Sequence, residues 1–138
     1  AELIVRDSYI GNNSGVGDGG GIANSGLVDI YDGIVDSNFS ESDGGGISNH
    51  GTLRLHGTTT IGSSEQGNST FGTGGGIYAG HSSYTVVCAT CTVTGNTAGG
   101  WWGDIAFPGG GVFVEGDGTL ELEEPNRVFG NTPDQIAP

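Results

Sequence analysis

Apolar residues in this chain come in short runs, with polar residues or glycine on both sides. One class of run alternates: "LIV" at 3–5, "VDI" at 28–30, "LRL" at 53–55, "TVV" at 85–87 and "LEL" at 120–122. A period of two is the pattern of a half-buried strand. In a second class an apolar residue is followed three positions later by asparagine. It pairs Ile10 with Asn13, Val35 with Asn38, Val93 with Asn96 and Val128 with Asn131. At the expected third occurrence, "IGSS" puts Ser64 in the asparagine position. The third class is a glycine triplet directly before an apolar residue: 19–21 before Ile22, 44–46 before Ile47, 74–76 before Ile77 and 109–111 before Val112. No stretch carries the spacing of an amphipathic helix.

The three classes interleave at nearly constant distances. From the last apolar residue of the alternating run to the apolar residue of the asparagine motif takes 5, 5, 6, 6 and 6 residues. From the residue after the triplet to the next alternating run takes 6, 6, 8 and 8. From the asparagine position to the next triplet takes 6, 6, 10 and 13, so insertions gather at one corner. A period of about 25 residues marks a solenoid, a propeller or an array. A propeller blade needs four strands in about 40 residues. Three short strands per repeat fit a parallel β-helix, an all-β solenoid whose three-sided coils stack at ~4.8 Å. The chain, 1–138, reads as a single domain of about five such coils.

Stacking gives each column a role. Ile22, Ile47, Ile77 and Val112 form an inward apolar ladder. Val28 with Ile30, Leu53 with Leu55 and Leu120 with Leu122 form a second wall; Ile10, Val35, Ile61, Val93 and Val128 form a third. The triplets mark the corner before the first of these walls, where glycine permits positive φ and close backbone approach. Asn13, Asn38, Asn96 and Asn131 are expected to turn inward and bond along a ladder; the alternative is exposed turn asparagines.

The alternation of "GGGI" with "(I/V)xxN" resembles the GGA(I/L/V) and FxxN repeats of polymorphic outer-membrane proteins, over nearly the whole chain from Ile10 to Asn131. Two positions depart from that pattern. The third triplet residue is Gly where the family often has Ala, and the phenylalanine of FxxN is Ile or Val here. The resemblance implies a right-handed β-helix in an exported, surface-associated setting, and it implies no chemistry.

Composition narrows the partners. Thirty of 138 residues are Gly, there is no Lys, and sixteen acids face three arginines, Arg6, Arg54 and Arg127. A net charge of −13 leaves nothing to neutralise phosphates and argues against nucleic acid. It argues equally against an anionic membrane surface, and no apolar run is long enough to span a bilayer. Cys88 and Cys91 form a lone "CATC". With no further ligands and no βαβ context, a local disulfide in an oxidising compartment is expected, with two packed thiols as the alternative. "AELIV" suits a mature exported N-terminus.

Candidate chemistry is sparse. "GVGDGG" matches G-x-G-x-x-G but precedes strand and turn rather than a helix, so no dinucleotide site is read. His50, His56 and His81 lie in different corners. Asp29, Arg54 and Glu121 share the outward column of the alternating strand, which reads as a cross-strand ion pair before it reads as an active site. Asp18 and Asp43 precede successive triplets and should stack. A bound Ca²⁺ would offset their repulsion, and caps to backbone N–H groups would serve instead. Three sequons begin at Asn12, Asn38 and Asn68; with Asn38 in the ladder, Asn12 and Asn68 are the candidate glycosylation acceptors. The insertion "AGGWWGDIAFPGGG" at 98–111 brings Trp101, Trp102, Ile105 and Phe107 to one corner. It reads either as a contact surface, with sugar rings among its partners, or as a flap over the rod.

Neither end shows a capping unit, and the two ends match in phase. A head-to-tail contact of that kind propagates into a filament, although prolines at 125, 133 and 138 are edge-protecting devices. The leading expectation is therefore a non-enzymatic, extracellular or cell-surface structural subunit that self-associates into a filament. A carbohydrate-binding or adhesin-like module using the tryptophan loop is the alternative, and a polysaccharide lyase or hydrolase comes last.

Overall fold

The computed structural model describes residues 1–99, 108–125 and 127–138. Strands follow one another in a fixed order. β1 (Glu2–Arg6), β2 (Tyr9–Gly11), β3 (Ser14–Gly15) and β4 (Ile22–Asn24) are followed by β5 (Leu27–Tyr31), β6 (Ile34–Asp36), β7 (Phe39–Ser40) and β8 (Ile47–Asn49). Next come β9 (Thr52–His56), β10 (Thr60–Ile61), β11 (Ser69–Thr70) and β12 (Ile77–Ala79), then β13 (Tyr84–Val87), β14 (Thr92–Thr94), β15 (Thr97–Ala98) and β16 (Val112–Val114). The last are β17 (Thr119–Leu122), β18 (Val128–Phe129) and β19 (Ile136–Ala137). Each strand pairs in parallel with the strand one repeat away. The resulting sheets run β1-β5-β9-β13-β17, β18-β14-β10-β6-β2, β15-β11-β7-β3 and β19-β16-β12-β8-β4. No helix occurs among the described residues, and the fold is a parallel β-helix.

Four sheets replace the expected three. The additional one, β3-β7-β11-β15, is two residues wide and sits between the asparagine and the glycine triplet. A two-residue strand shows no alternation, so the sequence pattern carries no trace of it.

The core follows the columns. Ile22 registers on Ile47, Ile47 on Ile77 and Ile77 on Val112, and all four are buried. Ile30, Leu55 and Val87 stack in the wall of the alternating strands, and Val35, Ile61, Val93 and Val128 in the next. Each fully buried side chain of this kind contributes about 1.5–3 kcal/mol. None can be buried without a neighbouring repeat, which makes the repeats interdependent.

The three glycines of a triplet have three different reasons to be glycine. Gly44 has φ +72, in the left-handed region. A Cβ on Gly45 would lie 2.5 Å from the Gly75 carbonyl oxygen of the next repeat. A Cβ on Gly46 would lie 2.7 Å from Gly76 O and 2.9 Å from the Asn68 amide. The triplet therefore lets two backbones and one amide column converge on a single corner.

Candidate association edges

That amide column is the central polar feature. Asn13 Nδ2 donates to Asn38 Oδ1 at 2.9 Å, Asn38 Nδ2 to Asn68 Oδ1 at 3.0 Å, Asn68 Nδ2 to Asn96 Oδ1 at 2.9 Å and Asn96 Nδ2 to Asn131 Oδ1 at 2.9 Å. The backbone N–H of each residue donates to the same acceptor, at 3.0–3.2 Å. The ladder asparagines are all where the spacing places them, with one correction. Asn68, not Ser64, supplies the third rung. The reason is an insertion before the asparagine: Ile61 to Asn68 is seven residues where Ile10 to Asn13 is three. Ser64 lies on the exposed part of that insertion. With Asn68 as the rung, the distance to the next triplet returns to six, so only 98–107 stretches that corner. Asn68 is fully buried, which closes it as a glycosylation acceptor; Asn38 is closed in the same way. Asn12 is exposed, with φ +60.

A second polar column is not foreseen in the sequence reading. Asn24 Nδ2 donates to Asn49 Oδ1 at 2.8 Å, and Asn49 Nδ2 donates to Thr85 Oγ1 at 2.9 Å. Gly26 N–H and Gly51 N–H donate back to Asn24 and Asn49. The signal was the repeated N-x-G of "NSG" and "NHG".

Cys88 and Cys91 form a disulfide, with Cα atoms 5.0 Å apart. Asp43 Oδ1 accepts from Thr73 N–H at 2.7 Å and Thr73 Oγ1 at 2.8 Å, while Asp43 N–H donates to Asp18 Oδ1 at 3.3 Å. Each of the two carboxylates thus accepts a backbone N–H. Among the described residues no group of three or more His, Cys, Asp or Glu side chains gathers around them. Trp101, Trp102, Ile105 and Phe107 lie outside the described residues.

Outside the core, charge concentrates on the face of β1, β5 and β9. His56 Nε2 lies 2.6 Å from Asp29 Oδ1, and Arg54 Nε lies 3.8 Å from the same oxygen. Tyr31 stacks on His56 with centroids 4.2 Å apart, and the Arg6 guanidinium sits 4.3 Å from the Tyr31 ring centre on the same column. At another corner Asp117 accepts from Ser82 N–H at 2.8 Å and Ser82 Oγ at 2.9 Å, with His81 at 3.2 Å. These bonds hold the Asp117 carboxyl below the usual range. Burial, then the hydrogen bond to Glu115, pushes the Tyr78 hydroxyl well above its usual value.

No family model, curated protein or solved structure matches this chain. The chemistry has to be read from the molecule itself. No helix among the described residues is long and apolar enough to cross a membrane.

On the β1 side, Leu3 is 45% exposed although its column partners Val28 and Leu53 are buried. Ile4, Tyr9 and Val16 are also exposed. The opposite side is different. Asn131 N–H and Nδ2 both donate to Gln135 Oε1 at 3.0 Å, and Gln135 Nε2 donates to Asn131 O at 3.2 Å. Gln135 thus stands where the next rung would be. Asp134 Oδ1 accepts from Gly109 N–H at 2.6 Å and Gly110 N–H at 3.1 Å. In the interior, Gly44 and Gly45 make those bonds to the carbonyls of Thr73 and Gly74. Side chains of 134 and 135 therefore make, at this rung, bonds that carbonyl and asparagine oxygens accept in the interior. These side-chain bonds sit beside β19, which pairs in parallel with β16 as the strand of a further repeat would.

Proposed function

We propose that this protein is an exported, surface-associated structural subunit, a non-enzymatic β-helical rod that associates end to end into a longer extracellular assembly. The observation that carries the reading is the stacking itself: Ile22, Ile47, Ile77 and Val112 are buried only because equivalent strands of neighbouring repeats pair in register. A wall built this way gains stability from each further layer in the same register. Two further facts support it. The Cys88–Cys91 disulfide suits an oxidising compartment. The repeat motifs resemble those of polymorphic outer-membrane proteins, which implies a surface setting. The test is sedimentation and negative-stain microscopy of the purified protein across a wide concentration range. Assemblies that lengthen the rod are expected; monomers at every concentration would reject the reading.

A further inference from the structure

The disulfide has two unequal ends. Cys91 is 0% exposed and lies in one hydrophobic cluster with Val87 and Val93. Cys88 is only partly buried against that cluster. A thiol from solution therefore reaches Cys88 Sγ and not Cys91 Sγ.

Opening the bond leaves the corner in place. Val87 ends β13 and Thr92 begins β14, and both strands are paired with the repeats on either side. Between them the turn is closed by its own backbone, where Cys91 N–H donates to Cys88 O at 3.0 Å. These bonds hold the two Cα atoms near their 5.0 Å separation with or without the sulfur bridge. The bridge spans a sequence separation of 3, so it adds little constraint that the strands do not already supply.

The surroundings serve both redox states. Gly57 O lies 3.3 Å from Cys88 Sγ and 3.8 Å from Cys91 Sγ, and Thr90 Oγ1 lies 3.6 Å from Cys88 Sγ. In the oxidised protein the sulfurs have no proton to give. In the dithiol each S–H finds an acceptor already in place.

We propose that Cys88–Cys91 is a reversible thiol–disulfide exchange site, opened by an external thiol at Cys88 and closed again by Cys91 as the buried resolving thiol. The site stands apart from the association reading and does not depend on it. An external thiolate attacks Cys88 Sγ; a new S–S bond forms there and the bond to Cys91 breaks. Cys91 Sγ leaves with the electron pair and takes a proton from solvent. A second thiolate then attacks the external sulfur of the mixed disulfide, which releases the Cys88 thiol and one external disulfide. Two external thiols are oxidised and one protein disulfide is reduced, and an external disulfide drives the same steps in reverse.

The corner selects among thiols by charge. The Asp32 carboxylate packs against Gly57, where a Cβ would collide with it, and it accepts from Thr58 N–H at 2.9 Å. The chain as a whole carries −13. An anionic thiol is repelled on approach and a cationic aminothiol is drawn in.

The experiment uses the full chain, folded and without denaturant. Cysteamine is added to the wild type, samples are quenched with iodoacetamide, and the adducts are located by mass spectrometry. The dithiol and a mixed disulfide at Cys88 are expected, with circular dichroism unchanged. Treated with cystamine, Cys91→Ser should take up the label at Cys88 on the order of a hundredfold faster than Cys88→Ser takes it up at Cys91. Rates per thiolate should be higher for cysteamine than for mercaptopropionate at low salt and converge at high salt. Opening only in urea, opening with loss of fold, or equal labelling of the two cysteines would overturn the exchange site. Equal low-salt rates for the two thiols would overturn the cationic partner class. Where a variant unfolds, the wild-type adduct decides: a mixed disulfide at Cys91 would reject Cys88 as the point of entry.

Discussion

Replacing Asn68 by alanine tests the polar spine directly. Asn68 Oδ1 accepts from Asn38 N–H at 3.1 Å and from Asn38 Nδ2 at 3.0 Å, and its own Nδ2 donates to Val35 O at 2.8 Å and Asn96 Oδ1 at 2.9 Å. The acceptors survive the loss: Val35 O keeps Gly62 N–H and Asn96 Oδ1 keeps Asn68 N–H. The donors do not. Asn38 N–H and one Asn38 amide hydrogen are left buried and unpaired, since Asn38 is 1% exposed. Each such group costs about 1–3 kcal/mol, so the variant should lose about 2–6 kcal/mol. That is a large part of the roughly 5–15 kcal/mol that holds a typical domain folded. Urea unfolding followed by circular dichroism reads the loss as a fall in midpoint at constant slope. Asn13→Ala, at the exposed rung, should cost less than about 1 kcal/mol, and Ser64→Ala less than about 0.5 kcal/mol. If Asn68→Ala were as mild as Asn13→Ala, the ladder would not be the internal support described here, and a large effect at Ser64 would restore the simpler spacing.

Three further outcomes are expected. Gly45→Ala should cost about 3 kcal/mol or more by pressing a methyl group on the Gly75 carbonyl, while Gly17→Ala, whose Cβ would meet nothing within 4 Å, should be silent by thermal melting. Reducing the Cys88–Cys91 disulfide should lower stability by about 2 kcal/mol, because a sequence separation of 3 closes only a small loop; loss of folding would contradict that. Asp117, held below the usual carboxylate range by Ser82 and His81, stabilises the fold above its unfolded value, and that contribution fades as pH falls through the lowered one. Asp117→Asn should therefore show a shallower acid limb than the wild type, and an unchanged limb would show the contacts to be without consequence.

What was legible in the sequence was whatever repeats through side-chain identity. Ile47 could be placed in the core because Ile22, Ile77 and Val112 occupy the same place in their own repeats. Asn38 could be turned inward for the same reason. Three things escaped. Asn68 was displaced by the insertion at 62–67, since a motif defined by fixed spacing fails at the first residue added inside it. The β3-β7-β11-β15 sheet is too narrow to alternate. The bonds of Asp134 and Gln135 are substitutions of chemistry rather than of sequence: an aspartate replaces two carbonyls, and a glutamine replaces an asparagine from a different backbone position. A repeat-based reading finds what recurs and overlooks a bond that a different side chain makes in the same place.

The amide ladder has a polarity, and it decides which of its rungs most needs a partner. Each rung donates toward the higher-numbered repeat and accepts from the lower-numbered one. The final rung therefore carries two donors at Asn131, one of them a backbone N–H, in a corner that is nearly closed to water. Donors in such a place are costly when unpaired, and Gln135 answers both with one oxygen. The first rung carries the opposite remainder, the Asn13 side-chain oxygen, and Asn13 is exposed, so water satisfies it at little cost. An unpaired buried donor at Asn131 is therefore the costlier disturbance of the ladder, and an exposed acceptor at Asn13 the cheaper one.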